Sequence, residues 1–224
     1  MRIRFKPWAR PELEASYFYE DVPENYIGKW KEKFKNQNQP LHIELGCGKG
    51  SFISELSFKN QNINYIAIDL VDAMLGLAKR KVEEKYNENN MKVDNLILVR
   101  YDIERINNII NLEDKVQRIY INFCNPWPKS KHKKKRLTHT KQLEHYKEFL
   151  ESGAEIYFKT DDDGLFDDSL KYFETVGFEI LKKTYDLHKE DILNGSNIVT
   201  EHEKMFSDEG IKIKALVAKL KSCN

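Results

Sequence analysis

The stretch Leu41-His-Ile-Glu-Leu-Gly-Cys-Gly-Lys-Gly-Ser-Phe-Ile-Ser-Glu-Leu56 changes its hydrophobic period half-way, and that change decides the fold. Leu41 to Leu45 reads as a short buried strand, whereas Phe52, Ile53 and Leu56 recur at the spacing of a helix face. Between them stand Gly46, Gly48 and Gly50, a turn in which the missing β-carbons permit a sharp reversal and let a ligand approach the backbone at a helix N-terminus. Tyr65-Ile-Ala-Ile-Asp69 is a second strand, ending in an acid about twenty residues after the loop. A carboxylate there accepts hydrogen bonds from both ribose hydroxyls, so loop and acid together indicate a nucleoside cofactor. The dinucleotide fingerprint GxGxxG is not met, because position 51 is serine.

Outward from this unit, strands and helices alternate. Met74, Leu77, Ala78 and Val82 mark a helix, Leu96–Arg100 a third strand, and Ile103–Ile110 a helix that Asp102 would cap. Ile119, Ile121 and Phe123 form a strand, Leu143, Tyr146 and Leu150 a helix, and Ala154–Phe158 another strand. Phe166, Leu170 and Phe173 give a helix, then Phe178–Tyr185 and Ile211–Leu220 two final strands. The order predicts an α/β, Rossmann-like doubly wound fold, with a mainly parallel sheet, an antiparallel terminal strand and helices on both faces. At 224 residues one such domain is expected, over 24–224, with Tyr26 or Ile27, Trp30 and Phe34 on a helix near Glu24–Lys35. Residues 1–23, with three prolines and Arg2, Arg4, Lys6, Trp8 and Arg10, read as a basic, extended N-terminal arm.

Ile119-Tyr-Ile-Asn-Phe-Cys-Asn-Pro-Trp-Pro-Lys129 carries the second signal. Pro126 and Pro128 cannot continue a central strand, so the strand stops near Cys124 and leaves Asn125 at a carboxyl end, the edge where ligands of open α/β sheets bind. Trp127 offers a flat surface for a nucleobase. The acids of Asp161–Asp163 are expected at the same edge as Glu44, Asp69 and Asn125. Six Lys/Arg follow in the eight residues 129–136. The net charge of +1 hides this polarity: residues 1–10 and 129–136 hold ten of the 37 Lys/Arg and no acid, so 27 stand against 36 Asp/Glu elsewhere. A base site beside a cationic run indicates work on nucleic acid.

No apolar run approaches the roughly 18 residues of a membrane span, and the basic start lacks the apolar core of a secretory signal. Cys47, Cys124 and Cys223 form no CxxC pair and no evident disulfide framework, which fits a reducing, cytoplasmic location and gives no metal site.

Read together, the motifs resemble those of the bacterial tRNA (guanine-N7)-methyltransferase family over nearly the whole length. Glu44 to Gly50 is similar to motif I of Rossmann-like methyltransferases, ExGxGxG, and Arg4-Phe-Lys-Pro-Trp-Ala9 to the family's RNKPWA. Phe123-Cys-Asn-Pro-Trp-Pro-Lys129 resembles F-S-D-P-W-P-K, Phe158-Lys-Thr-Asp161 with Gly164-Leu-Phe166 resembles FKTD…GLF, and Thr200-Glu-His-Glu203 resembles TEYE. The resemblance implies methyl transfer from S-adenosylmethionine to N7 of a guanosine in the tRNA variable loop. It implies that Glu44, Gly46, Gly48, Gly50, Asp69, Asp102 and Asn125 line the cofactor site. It further implies that Lys129, Asp161, Thr200, Glu201, His202 and Glu203 meet the substrate, and that Lys131, His132, Lys133, Lys134, Lys135 and Arg136 lie along RNA. For Asp102, adenine contact and helix capping stay open together. Three positions depart from the pattern: Phe5 for Asn, His202 for Tyr, and Asn125 for the catalytic Asp.

Two other readings compete. Asn-Pro-Trp also resembles the [D/N]PP[Y/F/W] signature of enzymes that methylate exocyclic amino groups, although Trp127 stands where its second proline belongs. A chain that lost its acid could instead persist as a catalytically silent tRNA-binding module, which the glycine loop and Asp69 argue against. Cys124 suggests a covalent nucleophile, but attack by N7 needs none. Monomer and homodimer are equally compatible with the sequence.

Overall fold

A computed structural model describes residues 4–190 and 197–221; Arg2 and Cys223 lie outside them. The chain divides into two compact units, one up to Lys115 and one from Val116.

The first unit contains strands β1 (Tyr19–Glu20), β2 (Leu41–Leu45), β3 (Asn64–Asp69) and β4 (Leu96–Arg100) in the order β1-β4-β3-β2, all parallel. Every residue of β2 is buried, and Asn64 to Ile68 of β3 are too, the mark of parallel strands covered on both faces. Their registers, Leu45 beside Ile68 and Asp69 beside Arg100, bring the carboxyl ends to one edge. Helix α1 spans Ala9–Glu14, α2 Ser51–Lys59 and α3 Asp72–Asn87.

Three expectations change here. The supposed arm includes α1, which packs on α3 and buries Ala9 and Leu13 completely. Pro11 is tolerated because it stands in the first turn, where its missing N–H has no partner to lose. Helix α3 accommodates this packing at Gly76, where a β-carbon would come within 2.8 Å of Ala9 Cβ and 2.9 Å of Trp8. The expected helix over 24–35 is instead two 3-10 turns, Pro23–Tyr26 and Trp30–Lys33, separated by Gly28 at φ +73°. Trp30 is still fully buried, donating its indole N–H to the Ile109 carbonyl at 2.6 Å. Residues Ile103–Asn108 also form a 3-10 segment, kinked at Arg105.

The second unit holds β5 (Val116–Asn122), β6 (Leu150–Thr160), β7 (Phe178–Thr184) and β8 (Lys214–Leu220) in the order β5-β6-β8-β7. β5 and β6 are parallel, while β8 runs antiparallel to both neighbours, the expected antiparallel end. Helices α4 (Thr140–Lys147), α5 (Asp163–Val176) and α6 (Glu201–Asp208) belong to this unit. Leu150, expected on a helix, opens β6 instead.

Candidate functional site

The glycine loop is shaped by β3. The N–H groups of Gly46 and Cys47 both donate to the Ile68 carbonyl, at 2.9 and 3.0 Å, which folds the chain back over the end of β3. Gly46, Gly48 and Gly50 have φ of +76°, +53° and +77°, the left-handed region that favours glycine. They differ in surroundings. A β-carbon on Gly50 would strike Ala78 at 2.7 Å, whereas one on Gly48 would meet nothing within 4 Å. Gly50 therefore serves packing of α2 on α3, and Gly48 borders open space.

Asp69 binds this loop to the strand end. Its Oδ2 accepts from Gly48 N at 3.0 Å and its Oδ1 from Val71 N at 2.9 Å. Burial pushes its carboxyl above the usual range, partly offset by these backbone donors. Each carboxylate oxygen has a second lone pair for a ribose hydroxyl. Glu44 is buried on β2, one residue before that strand ends. Asp102 follows β4 and accepts from Glu104 N at 3.1 Å, so it caps the 3-10 segment and keeps its other carboxylate oxygen out of that bond. Glu44, Asp69 and Asp102 thus stand at the carboxyl edge of adjacent parallel strands, with the glycine loop following the first.

In the second unit β5 ends at Asn122, and the chain turns through Phe123 at φ +51° and Trp127 at φ +40°. A left-handed conformation in a non-glycine residue costs roughly 1–2 kcal/mol, and two of them bracket Asn125. Asn125 is exposed, and its Oδ1 accepts from Trp127 N at 3.0 Å. Because that donor requires an oxygen, the amide orientation is fixed, and the NH2 is the part the turn does not hold. Trp127 is half-buried, with Lys135 Nζ 5.2 Å and the His132 ring 5.7 Å from its ring centre. Burial pushes the Cys124 thiol up to about 12, which removes the thiolate a covalent mechanism needs.

The basic run divides into two kinds. Lys129, Lys131, Lys134 and Lys135 are exposed, around a 3-10 turn over Ser130–Lys135. Arg136, expected along RNA, is only 3% exposed; its Nε donates to the Pro126 carbonyl at 2.7 Å and its Nη1 to Asp168 at 2.6 Å. Lys133 donates to the same carboxylate at 2.6 Å. Burial raises the Asp168 carboxyl, but these two cations outweigh it and leave the group below the usual range. Arg136 is thus an internal brace for the Asn-Pro-Trp turn. Arg136→Ala is expected to lower unfolding free energy by about 2–3 kcal/mol, the scale of charged hydrogen bonds removed from a buried site. Unchanged urea unfolding with weakened tRNA binding would return Arg136 to the RNA-facing set.

The Thr200–Glu203 motif divides likewise. Thr200 Oγ1 caps α6 by accepting from Glu203 N at 3.0 Å. Glu203 is fully buried: Lys159 Nζ donates to its Oε2 at 2.8 Å, while its Oε1 faces His188 Nε2 at 2.9 Å and accepts from Asn197. Burial pushes this carboxyl up, and Lys159 with the other donors pulls it further down, to a net position below the ordinary glutamate value. Expected to meet substrate, Thr200 and Glu203 instead hold the segment in place, and the exposed members are Glu201 and His202. Lys159, His188 and Asn197 were missed. Lys159 stands inside Phe158-Lys-Thr-Asp161, but no spacing rule links it to a partner 44 residues on. Asp161 follows β6 and its carbonyl accepts from Lys214 Nζ at 2.9 Å. With β5 and β6 paired at Asn122 and Lys159, Asn125 and Asp161 follow neighbouring strand ends.

The model of a family described as "Putative methyltransferase" matches residues 38–216. A tRNA (guanine-N(7)-)-methyltransferase of Ruminiclostridium cellulolyticum is 59% identical over 99% of this chain and 93% of its own length. Proteins of the same name from Clostridium beijerinckii, at 59% over 97% and 98%, and Clostridium perfringens, at 55% over 98% and 99%, agree. The chain belongs to the tRNA (guanine-N(7)-)-methyltransferase family. Solved structures share the fold at much lower identity. The 16S rRNA methyltransferase KamB superposes with a TM-score of 0.59 at 12% identity, covering 98% of this chain and 95% of its own. An antibiotic-related methyltransferase gives 0.57 at 19%, covering 84% and 92%. The Rossmann-like α/β class expected from the alternating elements is therefore the fold of this member of the tRNA (guanine-N(7)-)-methyltransferase family. Among the described residues no helix is long and apolar enough to cross a membrane.

Proposed function

We propose that this chain transfers a methyl group from S-adenosylmethionine to N7 of a guanosine in the tRNA variable loop. Identity of 50–59% over 97–99% of the chain to relatives named tRNA (guanine-N(7)-)-methyltransferase carries the reading. The residues fit the methyl donor: Gly48 borders open space, and the half-buried Asp69 has acceptor capacity beyond its backbone bonds. Glu44, Gly46, Gly48, Gly50, Asp69 and Asp102 would hold it, and when bound it supplies an electrophilic sulfonium methyl.

Guanine N7 has a lone pair and no proton, so the chain needs no general base there. Its task is alignment and exclusion of water. Asn125 would orient the base. With its oxygen engaged by Trp127 N–H, its NH2 suits an acceptor such as guanine O6, the neighbour of N7 on the same ring edge. An Asp here could keep the turn bond with one oxygen and offer the other to guanine N1–H and N2–H2, adding charge opposite the developing cation. Lys129, Asp161, Glu201 and His202 would meet tRNA near the base, with the exposed lysines along its backbone.

The decisive experiment is single-turnover methylation of undermodified tRNA with labelled donor, read by nucleoside mass spectrometry. The wild type is expected to form 7-methylguanosine, Asn125→Asp to be faster, and Asn125→Ala to fall by about a hundredfold, the scale of removing one oriented polar group. N6-methyladenosine would establish the exocyclic-amine reading, and tRNA binding with no product the silent module.

Replacing Lys131, Lys134 and Lys135 with alanine is expected to reduce the slope of log affinity against log salt by up to about 0.9 for each phosphate that is no longer neutralised, if the RNA there is duplex-like. A slope equal to wild type would put the RNA on another face.

A further inference from the structure

The ring of Phe123 takes no part in the proposed methyl transfer, yet it is closely held. Phe123 immediately follows β5 in the left-handed region, two residues before Asn125, and its N–H donates to the Lys159 carbonyl at 2.9 Å. Its ring is held from several directions. The Lys159 ammonium lies 5.8 Å from the ring centre, the His202 ring is nearly parallel at 6.3 Å and 20°, and the Phe206 ring is 6.1 Å away. His202 and Phe206 also meet each other at 6.3 Å, and Phe123 and Phe206 both pack against Leu187, Ile213 and Ala215. A backbone conformation that most side chains avoid persists only where the surroundings over-determine it. Here the surroundings are this aromatic group and the cation above it.

We infer that Phe123 is a positioning residue for Asn125: its ring, anchored by Lys159, His202 and Phe206, fixes the left-handed turn that presents the Asn125 amide. The inference rests on the proposed role of Asn125 in orienting the base. Through Phe123 the placement of α6 would be transmitted to the turn, because Lys159 binds Glu203 of α6 while His202 and Phe206 belong to the same helix. The Thr200–Glu203 motif would then act on methyl transfer partly at a distance, by holding Phe123, and not solely by touching tRNA.

A double-mutant cycle tests this with the full chain and undermodified tRNA. Phe123→Leu retains the apolar packing but lacks the ring faces that receive Lys159 and His202. Its single-turnover rate at saturating donor and tRNA is expected to fall about tenfold, with tRNA Kd within about twofold of wild type, and Phe123→Tyr is expected to restore the rate. In an Asn125→Ala background Phe123→Leu is expected to have almost no further effect, since the group it positions has gone. A tenfold loss that persists in that background would overturn the inference, because Phe123 would then act on the substrate directly or through the fold. So would a rise in tRNA Kd that accounts for the loss. An unchanged rate for Asn125→Ala alone would defeat the prior reading of Asn125, and is distinguished by needing no Phe123 variant. Circular dichroism melts of both single variants exclude unfolding; if Phe123→Leu melts early, Phe206→Leu, which removes a ring packed on Phe123 and touches neither donor nor tRNA in the proposed site, enters the cycle in its place with the same two outcomes.

Discussion

Lys159→Ala is expected to cost about 3–5 kcal/mol of unfolding free energy at neutral pH, among the largest effects of any single change in the molecule. Lys159 is 7% exposed, and its ammonium donates to Asn197 Oδ1, the Ile198 carbonyl and Glu203 Oε2 at 2.9, 3.0 and 2.8 Å. Removing it leaves a fully buried carboxylate with no cation from β6, and the cost of that stranded charge exceeds the worth of the pair itself. The sign of the pH dependence follows from the folded carboxyl lying below its ordinary value of 4.5. Stability from the pair is present above 4.5 and is lost as pH falls through the folded value. The gap between wild type and Lys159→Ala is therefore expected to be largest near neutral pH and to narrow in acid. Urea unfolding at about pH 7 and about pH 4 measures it, and a gap under about 1 kcal/mol at neutral pH would show that water or another cation replaces Lys159 without penalty.

Gly50 and Gly48 are expected to separate stability from donor binding. At Gly50 alanine meets Ala78 Cβ at 2.7 Å and Ala78 Cα at 2.8 Å, in a left-handed backbone. Overpacking of about 1–3 kcal/mol adds to roughly 1–2 kcal/mol of backbone strain, a loss of about 2–5 kcal/mol for Gly50→Ala. Ala78→Gly is not expected to rescue it fully, since the backbone of residue 78 still stands in the way. Gly48→Ala meets no atom, so its cost is expected to be the strain alone, about 1–2 kcal/mol. Its methyl group nevertheless occupies the space assigned to the donor, and affinity for S-adenosylmethionine is expected to fall at least about tenfold by calorimetry. Equal donor affinity in Gly48→Ala and wild type would refute the placement.

How much could be read from the sequence depended on the range of the interactions involved. The β2-loop-α2 unit was legible because a change of period and three glycines lie within sixteen residues, and nearest-neighbour geometry determines both. Asp69 was legible as a strand end for the same reason. The helix expected over 24–35 failed because Trp30 and Phe34 are drawn inward by the rest of the unit, Trp30 to the Ile109 carbonyl, with Gly28 interrupting any continuous helix. Helix α1 escaped notice because six residues containing a proline have no helical stability of their own and fold only against α3. In the second unit the Asn-Pro-Trp turn was visible from its prolines, but not which of the following cations remain exposed. Lys133 and Arg136 look like Lys134 and Lys135 until Asp168 arrives from α5. Glu203 looked available for the same reason: Lys159 and His188 reach it from 44 and 15 residues away, and only Asn197 is a near neighbour in the chain.

The close seat of Ala9 and Trp8 against Gly76 also bears on how the molecule is made. A ribosome releases residues 9–14 well before residues 72–87, so α1 has no α3 surface to rest on until some seventy further residues have followed it. Helix α1 therefore cannot take its seat before α3 has formed, and the backbone of α3 at Gly76 stays uncovered until Ala9 and Trp8 reach it.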